Sequence, residues 1–259
     1  MKIHILGSLS GTEPFPSRNH TSWALELDNG NIYLFDAGEN CSRTAYLSQM
    51  DLMQIKAVFI SHSHYDHIGG LCGLFWHMRK LCNAYEKESD FKKVELIIPE
   101  LEAWEAIKML LSYTEGGYFK NLKFDIVPKK PTATLAYEDE NIKVYAYPSH
   151  HEPDRADGTV RTYSYRIEAS GFSIVYSGDF KSLDDICAPV GDGCDLLLSE
   201  TGHHKVSDVC RFAETHAVGE LVFYHHGREI LGGSPTVAEA IKACPVKATL
   251  SYDGMEIVR

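Results

Sequence analysis

The segment Ser61-His62-Ser63-His64-Tyr65-Asp66-His67 sets three imidazoles and a carboxylate in one short stretch, after the apolar run 57–60 and before a pattern of helical spacing. Imidazole nitrogen and carboxylate oxygen are donors that a borderline cation such as Zn²⁺ accepts, at about 2.0–2.2 Å. In extended backbone His62 and His64 point the same way, so the two can chelate one ion. Asp66 and His67 fall where the chain turns into a helix, are oriented differently, and are available to a second ion. A chain with this segment has to fold so that a strand end and a helix start share one edge with further donors.

Those further donors come in clusters. Nine of the 13 histidines fall in four groups: His62/His64/His67, His150/His151, His203/His204 and His225/His226. The first, second and fourth groups follow apolar runs at 58–60, 144–147 and 221–223, and Asp179 follows the run 174–176 through Ser177-Gly178. Polar groups at strand ends of an α/β protein converge on one edge, where ligands bind. Asp179 has two oxygens and can bridge two cations, and Gly178 lets the backbone bend close to them. Either member of His150/His151 and either member of His225/His226 could serve as a ligand. His4, His20, His77 and His216 read as ordinary.

Periodicity organises the rest. Strands are expected at 2–6, 22–27, 31–35 and 57–60, with a helix at 41–50. Leu71, Leu74, Phe75, Met78 and Leu81 recur along one face of a second helix. The middle continues with a strand at 94–98, a helix at 101–113 and strands at 122–127, 142–147, 163–168 and 172–176. The last third alternates: strand 195–198, helix 207–216, strand 220–223, helix 235–243 and strand 248–252. With 259 residues, 44% of them apolar, the chain suits one domain spanning 1–259, with helices covering the outer faces of sheets. Seven scattered cysteines without a C-x-x-C pair are expected to be reduced thiols. The opening residues lack a secretory pattern and no segment is apolar for long enough to cross a bilayer, so a soluble cytoplasmic protein is expected. A formal charge of −11 repels phosphate backbones and weighs against extended nucleic-acid binding.

The chain resembles the metallo-β-lactamase superfamily, whose motif is H-x-H-x-D-H, and within it ribonuclease Z and related phosphodiesterases. The resemblance is carried by Ile5-Leu6-Gly7, Ser17-Arg18-Asn19-His20-Thr21-Ser22, Leu34-Phe35-Asp36-Ala37-Gly38-Glu39 and the stretch from Val58 to Gly70. It continues through Tyr165-Arg166-Ile167-Glu168, Tyr176-Ser177-Gly178-Asp179, Asp195-Leu196-Leu197-Leu198-Ser199-Glu200-Thr201, Leu221-Val222-Phe223-Tyr224-His225 and Asp253-Gly254-Met255. It implies an α/β fold, a four-layered αβ/βα sandwich with a dinuclear metal site on its open edge. It further implies that one ion takes His62, His64, His151 and Asp179, and the other Asp66, His67, Asp179 and His225. His151 is preferred to His150 because it lies three positions after Pro148, as in the family's Pro-x-x-His. His225 is preferred to His226 because it directly ends the run 221–224. The same resemblance makes His203 or His204 the group that protonates the leaving oxygen, and Asp36 a support for the ligands through hydrogen bonds. Two divalent ions are implied, zinc foremost, with manganese or iron as alternatives.

The expected reaction is hydrolysis of a small phosphodiester. Two cations about 3.5–4 Å apart acidify a shared water and clamp the substrate's oxygens, Asp66 orients the hydroxide, and His203 or His204 supplies a proton. Three departures from ribonuclease Z, together with the charge, argue against a structured RNA. The chain has no protruding Gly/Pro-rich insertion of the kind that holds tRNA, its loop at 152–161 is longer, and its segment between Glu200 and His203 is shorter. The alternatives are a carbonyl hydrolase acting on a lactone, thioester or β-lactam, and a metal-bearing binding or scaffold protein without activity. A redox di-iron enzyme fits less well, because the family it would resemble carries Glu where this chain has His64. No membrane partner is expected, and a homodimer is left open.

Overall fold

The computed structural model describes residues 1–84, 93–114, 116–118, 124–132 and 134–259. The chain divides into two compact units, one formed by Met1–Ser8, Pro14–Lys130 and Tyr252–Arg259, the other by Leu9–Glu13 and Pro131–Ser251. In chain order the strands are β1 (Lys2–Gly7), β2 (Ser22–Glu26), β3 (Ile32–Phe35), β4 (Ile55–Phe59), β5 (Lys93–Ile97), β6 (Asp125–Lys129) and β7 (Thr134–Glu138). They continue as β8 (Ile142–Pro148), β9 (Tyr163–Ala169), β10 (Phe172–Tyr176), β11 (Cys194–Thr201), β12 (Val218–His226), β13 (Lys247–Leu250) and β14 (Glu256–Val258).

Each unit is built on one sheet, and the two sheets follow the same plan. In the first, ordered β14-β1-β2-β3-β4-β5-β6, the pairs from β14 to β3 are antiparallel and those from β3 to β6 parallel. In the second, ordered β13-β12-β11-β10-β9-β8-β7, the pairs from β7 to β10 are antiparallel and those from β10 to β13 parallel. Parallel neighbours need a crossover. In the first unit it is supplied by α1 (Cys41–Leu47), α2 (Tyr65–Ile68), α3 (Leu71–Ala84) and α4 (Leu101–Ser112). In the second it is supplied by α5 (Cys187–Val190), α6 (Val206–Thr215), α7 (Arg228–Leu231) and α8 (Pro235–Ala243).

The helices are held by the apolar stripes that made them legible. Leu71, Leu74, Phe75 and Met78 of α3 and Trp104 of α4 are buried with Leu34, Val58 and Leu96 on one face of the first sheet. The other face of that sheet buries a stack of Trp23, Phe35 and Phe59, with ring centroids 4.2 and 4.7 Å apart. In the second unit Val209 and Phe212 of α6 and Val237 of α8 pack on Val175, Leu197, Leu221 and Phe223. No helix among the described residues is long and apolar enough to cross a membrane. All seven cysteines are free.

Most expected elements are present within a few residues. Two strands escaped the pattern, β7 and β14, and both are edge strands. Strand β7 is largely exposed and β14 has a single buried residue, so neighbour pairing rather than alternation of apolar residues defines them. Strand β12 runs on to His226, which puts the last histidine pair inside a strand end instead of after it. The expected strand start at Leu122 lies outside the described residues, and the strand there is β6.

Candidate metal centre

In the first unit the donors stand where β4 ends. The register sets Phe35 of β3 beside Phe59 of β4, so the residues that follow each strand are neighbours. Asp36 and Ser61 are both fully buried, and Asp36 has a left-handed backbone, φ 53°. The Ser61 N–H donates to Asp36 Oδ1 at 2.6 Å, the Ser61 hydroxyl to Oδ2 at 2.7 Å, and His67 Nδ1 to the same Oδ2 at 2.6 Å. His62 Nδ1 faces the Ser61 hydroxyl at 3.0 Å. These contacts fix tautomers. With the Nδ1 proton of His67 committed to Asp36 and that of His62 to Ser61, each ring carries its lone pair on Nε2, the form that can bind a cation.

The three rings are close, His62 and His67 having centroids 4.1 Å apart. His62 Nε2 and His64 Nδ1 approach to 2.9 Å. Two nitrogens on one tetrahedral zinc stand about 3.4 Å apart, so little movement would be needed for both to bind a single ion. His64 precedes the short α2 and accepts the His67 and Ile68 amides on its carbonyl. Asp66 Oδ2 lies 3.4 Å from His67 Nε2, on the side away from Asp36. Glycine makes this packing feasible. A Cβ on Gly38 would come 2.5 Å from the Asp66 carbonyl oxygen, and one on Gly70 would come 2.1 Å from the Gly38 carbonyl oxygen.

In the second unit three parallel strands deliver their ends to one place, Tyr176 pairing with Leu198 and Glu200 with Tyr224. The turn that carries Asp179 is buried, so its carbonyls need donors, and hydroxyls supply them. Ser164 donates to Ser177 O at 2.5 Å, Tyr224 to Gly178 O at 3.1 Å and Ser149 to Asp179 O at 2.6 Å. The Asp179 carboxylate is thereby held under three imidazoles. His225 Nε2 is 3.3 Å from Oδ1, and His203 Nδ1 and His151 Nε2 are 3.7 and 3.8 Å from Oδ2. Asp179, Glu200, His203 and His225 bring ligand atoms within 4.8 Å of one another.

Backbone geometry separates the paired histidines. Ladder pairing skips His225, since Glu200 pairs with Tyr224 and Thr201 with His226. His225 is thus a bulge residue at φ 52°, and bulges re-aim side chains. Its ring turns to Asp179, while His226 Nε2 lies 3.0 Å from the Ser251 carbonyl and Nδ1 3.0 Å from the Thr201 hydroxyl. His150 is exposed and its Nδ1 sits 2.8 Å from Asp185. His204 stacks on Phe180, centroids 4.0 Å apart, and its Nε2 donates to the Phe180 carbonyl at 2.9 Å. His4, His20, His77 and His216 lie against Glu26, Glu39, Ser42 and Phe212 respectively.

Glu200 went unrecognised as a functional candidate in the sequence. It is fully buried, accepts the His203 amide at 2.8 Å, and lies 3.1 Å from His203 Nδ1 and 3.7 Å from His225 Nδ1. An acid two residues beyond the apolar run 196–198, close to the end of its strand, was the available signal. Burial works to raise its carboxyl, but His203 and His225 outweigh burial and hold it below the ordinary value. In return the hydrogen bond to Glu200, opposed by burial and helped by the Glu200 and Asp179 charges, raises the His203 imidazole.

Residues 31–226 match the family model of the β-lactamase superfamily domain. A curated relative, ribonuclease Z of Methanocaldococcus jannaschii, is 32% identical over 87% of this chain and 85% of its own length. Two solved structures match essentially the whole chain. The metallo-β-lactamase fold protein YhfI from Bacillus subtilis has a TM-score of 0.73 at 18% identity, covering 99% of this chain and 98% of that one. The short form of human tRNase Z has a TM-score of 0.70 at 22% identity, covering 100% and 99%. The chain belongs to the metallo-β-lactamase superfamily. Its fold is the α/β sandwich of that type, and its curated relatives are ribonucleases Z.

Proposed function

We propose that the protein is a metal-dependent hydrolase of small phosphodiesters that uses two divalent ions, zinc foremost. The observation that carries the reading is the preset state of the donors. His62 and His67 have their Nδ1 protons committed elsewhere, and Asp179 and Glu200 are buried acids whose neighbours are imidazoles. Nitrogen and oxygen donors in this mixture suit zinc, with manganese and iron as alternatives. One ion would be held by His62, His64, His151 and Asp179, and the other by Asp66, His67, Asp179 and His225. When bound, such a pair acidifies water and neutralises charge on phosphoryl oxygens.

The chain's own residues do the rest. Asp66 accepts a hydrogen bond from the attacking water and so orients it. His203, as the imidazolium that its hydrogen bond to Glu200 favours, donates Nδ1–H to Glu200 and delivers its second proton, on Nε2, to the leaving oxygen. It is preferred over His204, which is engaged with Phe180. A charge of −11 favours a small substrate over a structured RNA. Beside His151, Arg161 is paired with Glu152 at 2.8 Å, which lowers its appeal to a phosphate backbone. The seven free thiols suit the cytoplasm.

Zinc- and manganese-loaded protein and the chelated form, assayed on bis-aryl phosphates, a 3′-extended tRNA, lactones and thioesters, test the reading. The expected result is chelator-sensitive turnover of the phosphodiesters. Preference for the tRNA, or turnover confined to the carbonyl compounds, would overturn it.

A smaller change tests the His225 assignment. A Cβ on Gly202 would come 2.6 Å from His225 Nδ1 and 2.7 Å from its Cε1, and the ring is too buried to move aside. Gly202→Ala is therefore expected to weaken metal binding about 10–100-fold, read by competition with a chromogenic chelator. Unchanged affinity would remove His225 from the ligand set.

A further inference from the structure

We propose that the ring of Tyr65 is a stacking platform for the base of a nucleobase-bearing phosphodiester, which makes it a specificity-determining residue; the inference rests on the phosphodiesterase reading above. Tyr65 lies between His64 and Asp66, yet 68% of it is exposed while Asp66 and His67 are buried. Among residues 61–70 it is the one large apolar side chain that is exposed rather than buried or half-buried. It therefore stands at the rim of the first donor set, where the part of a substrate that projects beyond the reacting phosphate would lie.

The ring is also seated. Tyr65 opens α2, and its carbonyl accepts the Gly69 amide at 2.6 Å. A Cβ at Gly69 would come 2.8 Å from Tyr65 Cζ and 2.9 Å from Cε1, so the ring lies directly on glycine backbone. An exposed tyrosine resting on a side chain could slide with it; one resting on backbone keeps its place. A rigid aromatic face loses little freedom when a base stacks on it, and every base offers a π-face. In a chain of net charge −11, recognition through an uncharged ring also avoids the repulsion that limits longer phosphate contacts.

The test compares two esters with the same leaving group, thymidine 5′-(p-nitrophenyl phosphate) and methyl p-nitrophenyl phosphate, on metal-loaded wild type, Tyr65→Ala, Tyr65→Phe and Tyr65→Trp. Wild type is expected to prefer the thymidine ester. In Tyr65→Ala that preference is expected to fall about tenfold, mainly through KM, the size stacking on one aromatic ring supplies. Metal content should stay at the wild-type level, which separates a lost platform from a damaged centre. Tyr65→Phe and Tyr65→Trp should retain the preference. A wild type that turns over neither ester sinks the phosphodiesterase reading itself. A wild type that turns over both, with an unchanged preference in Tyr65→Ala or an equal loss in Tyr65→Phe, overturns the stacking role alone.

Discussion

Asp179→Ala is expected to strip the protein of bound divalent metal and to lower kcat/KM on a phosphodiester by on the order of 10³-fold or more, the several kcal/mol that metal ions contribute to a charged transition state. The reason is its place. Three imidazoles of the second unit approach its two oxygens, at 3.3, 3.7 and 3.8 Å. Losing it would take a ligand from both proposed ions at once. The metal-free variant should nevertheless be no less stable than the metal-free wild type. Asp179 is a buried like charge that acts to raise the Glu200 carboxyl, and removing it relieves that repulsion. Metal analysis, kinetics and thermal melts with chelator check the three parts together. Full metal content in an active Asp179→Ala variant would refute the shared-ligand assignment.

Replacing Asp36 should act through a different route. Its carboxylate accepts three hydrogen bonds from Ser61 and His67 in a fully buried setting. Asp36→Ala leaves donors stranded at about 1–3 kcal/mol each, so a loss of roughly 3–5 kcal/mol is expected, some 10 °C or more in Tm. Asp36→Asn separates stability from metal binding. Asparagine tolerates the left-handed backbone at this position, and its carbonyl can still accept the Ser61 amide. Its NH₂, however, would face His67 Nδ1 and demand the opposite tautomer, moving the ring proton to Nε2. Metal affinity should then fall about 10–100-fold with a smaller drop in Tm than in the alanine variant. Equal affinity in Asp36→Asn and wild type would show that Asp36 supports the fold without setting the tautomer.

Legibility from sequence varied with the range of the interactions involved. Helix α3 could be read because Leu71, Leu74, Phe75 and Met78 repeat along one face, and the same residues bury it. Helix α8 could be read because Pro235 opens it at a position where a missing amide costs nothing. The edge strands β7 and β14 could not, because their own side chains are mostly exposed and only a neighbour's backbone defines them. Glu200 was overlooked for a related reason. An acid at a strand end looks like a solvated terminus until His203 and His225, from other elements, are seen to surround it.

What the amino-acid order determined unaided was the donor chemistry: the histidine-rich turn after β4, the Gly-Asp after β10, and the alternation of strand and helix that carries both to strand ends. These depend on residues a few positions apart, whose geometry local backbone rules suffice to constrain. Only the folded chain decided which member of each histidine pair turns inward, where the imidazole protons reside, and which acids are buried. Those outcomes hang on a bulge at His225, on Asp36 reaching across to His67, and on glycines pressed against backbone far away in sequence. A left-handed residue or a buried hydrogen bond is stable only when its partners are already in place, and the partners come from other strands.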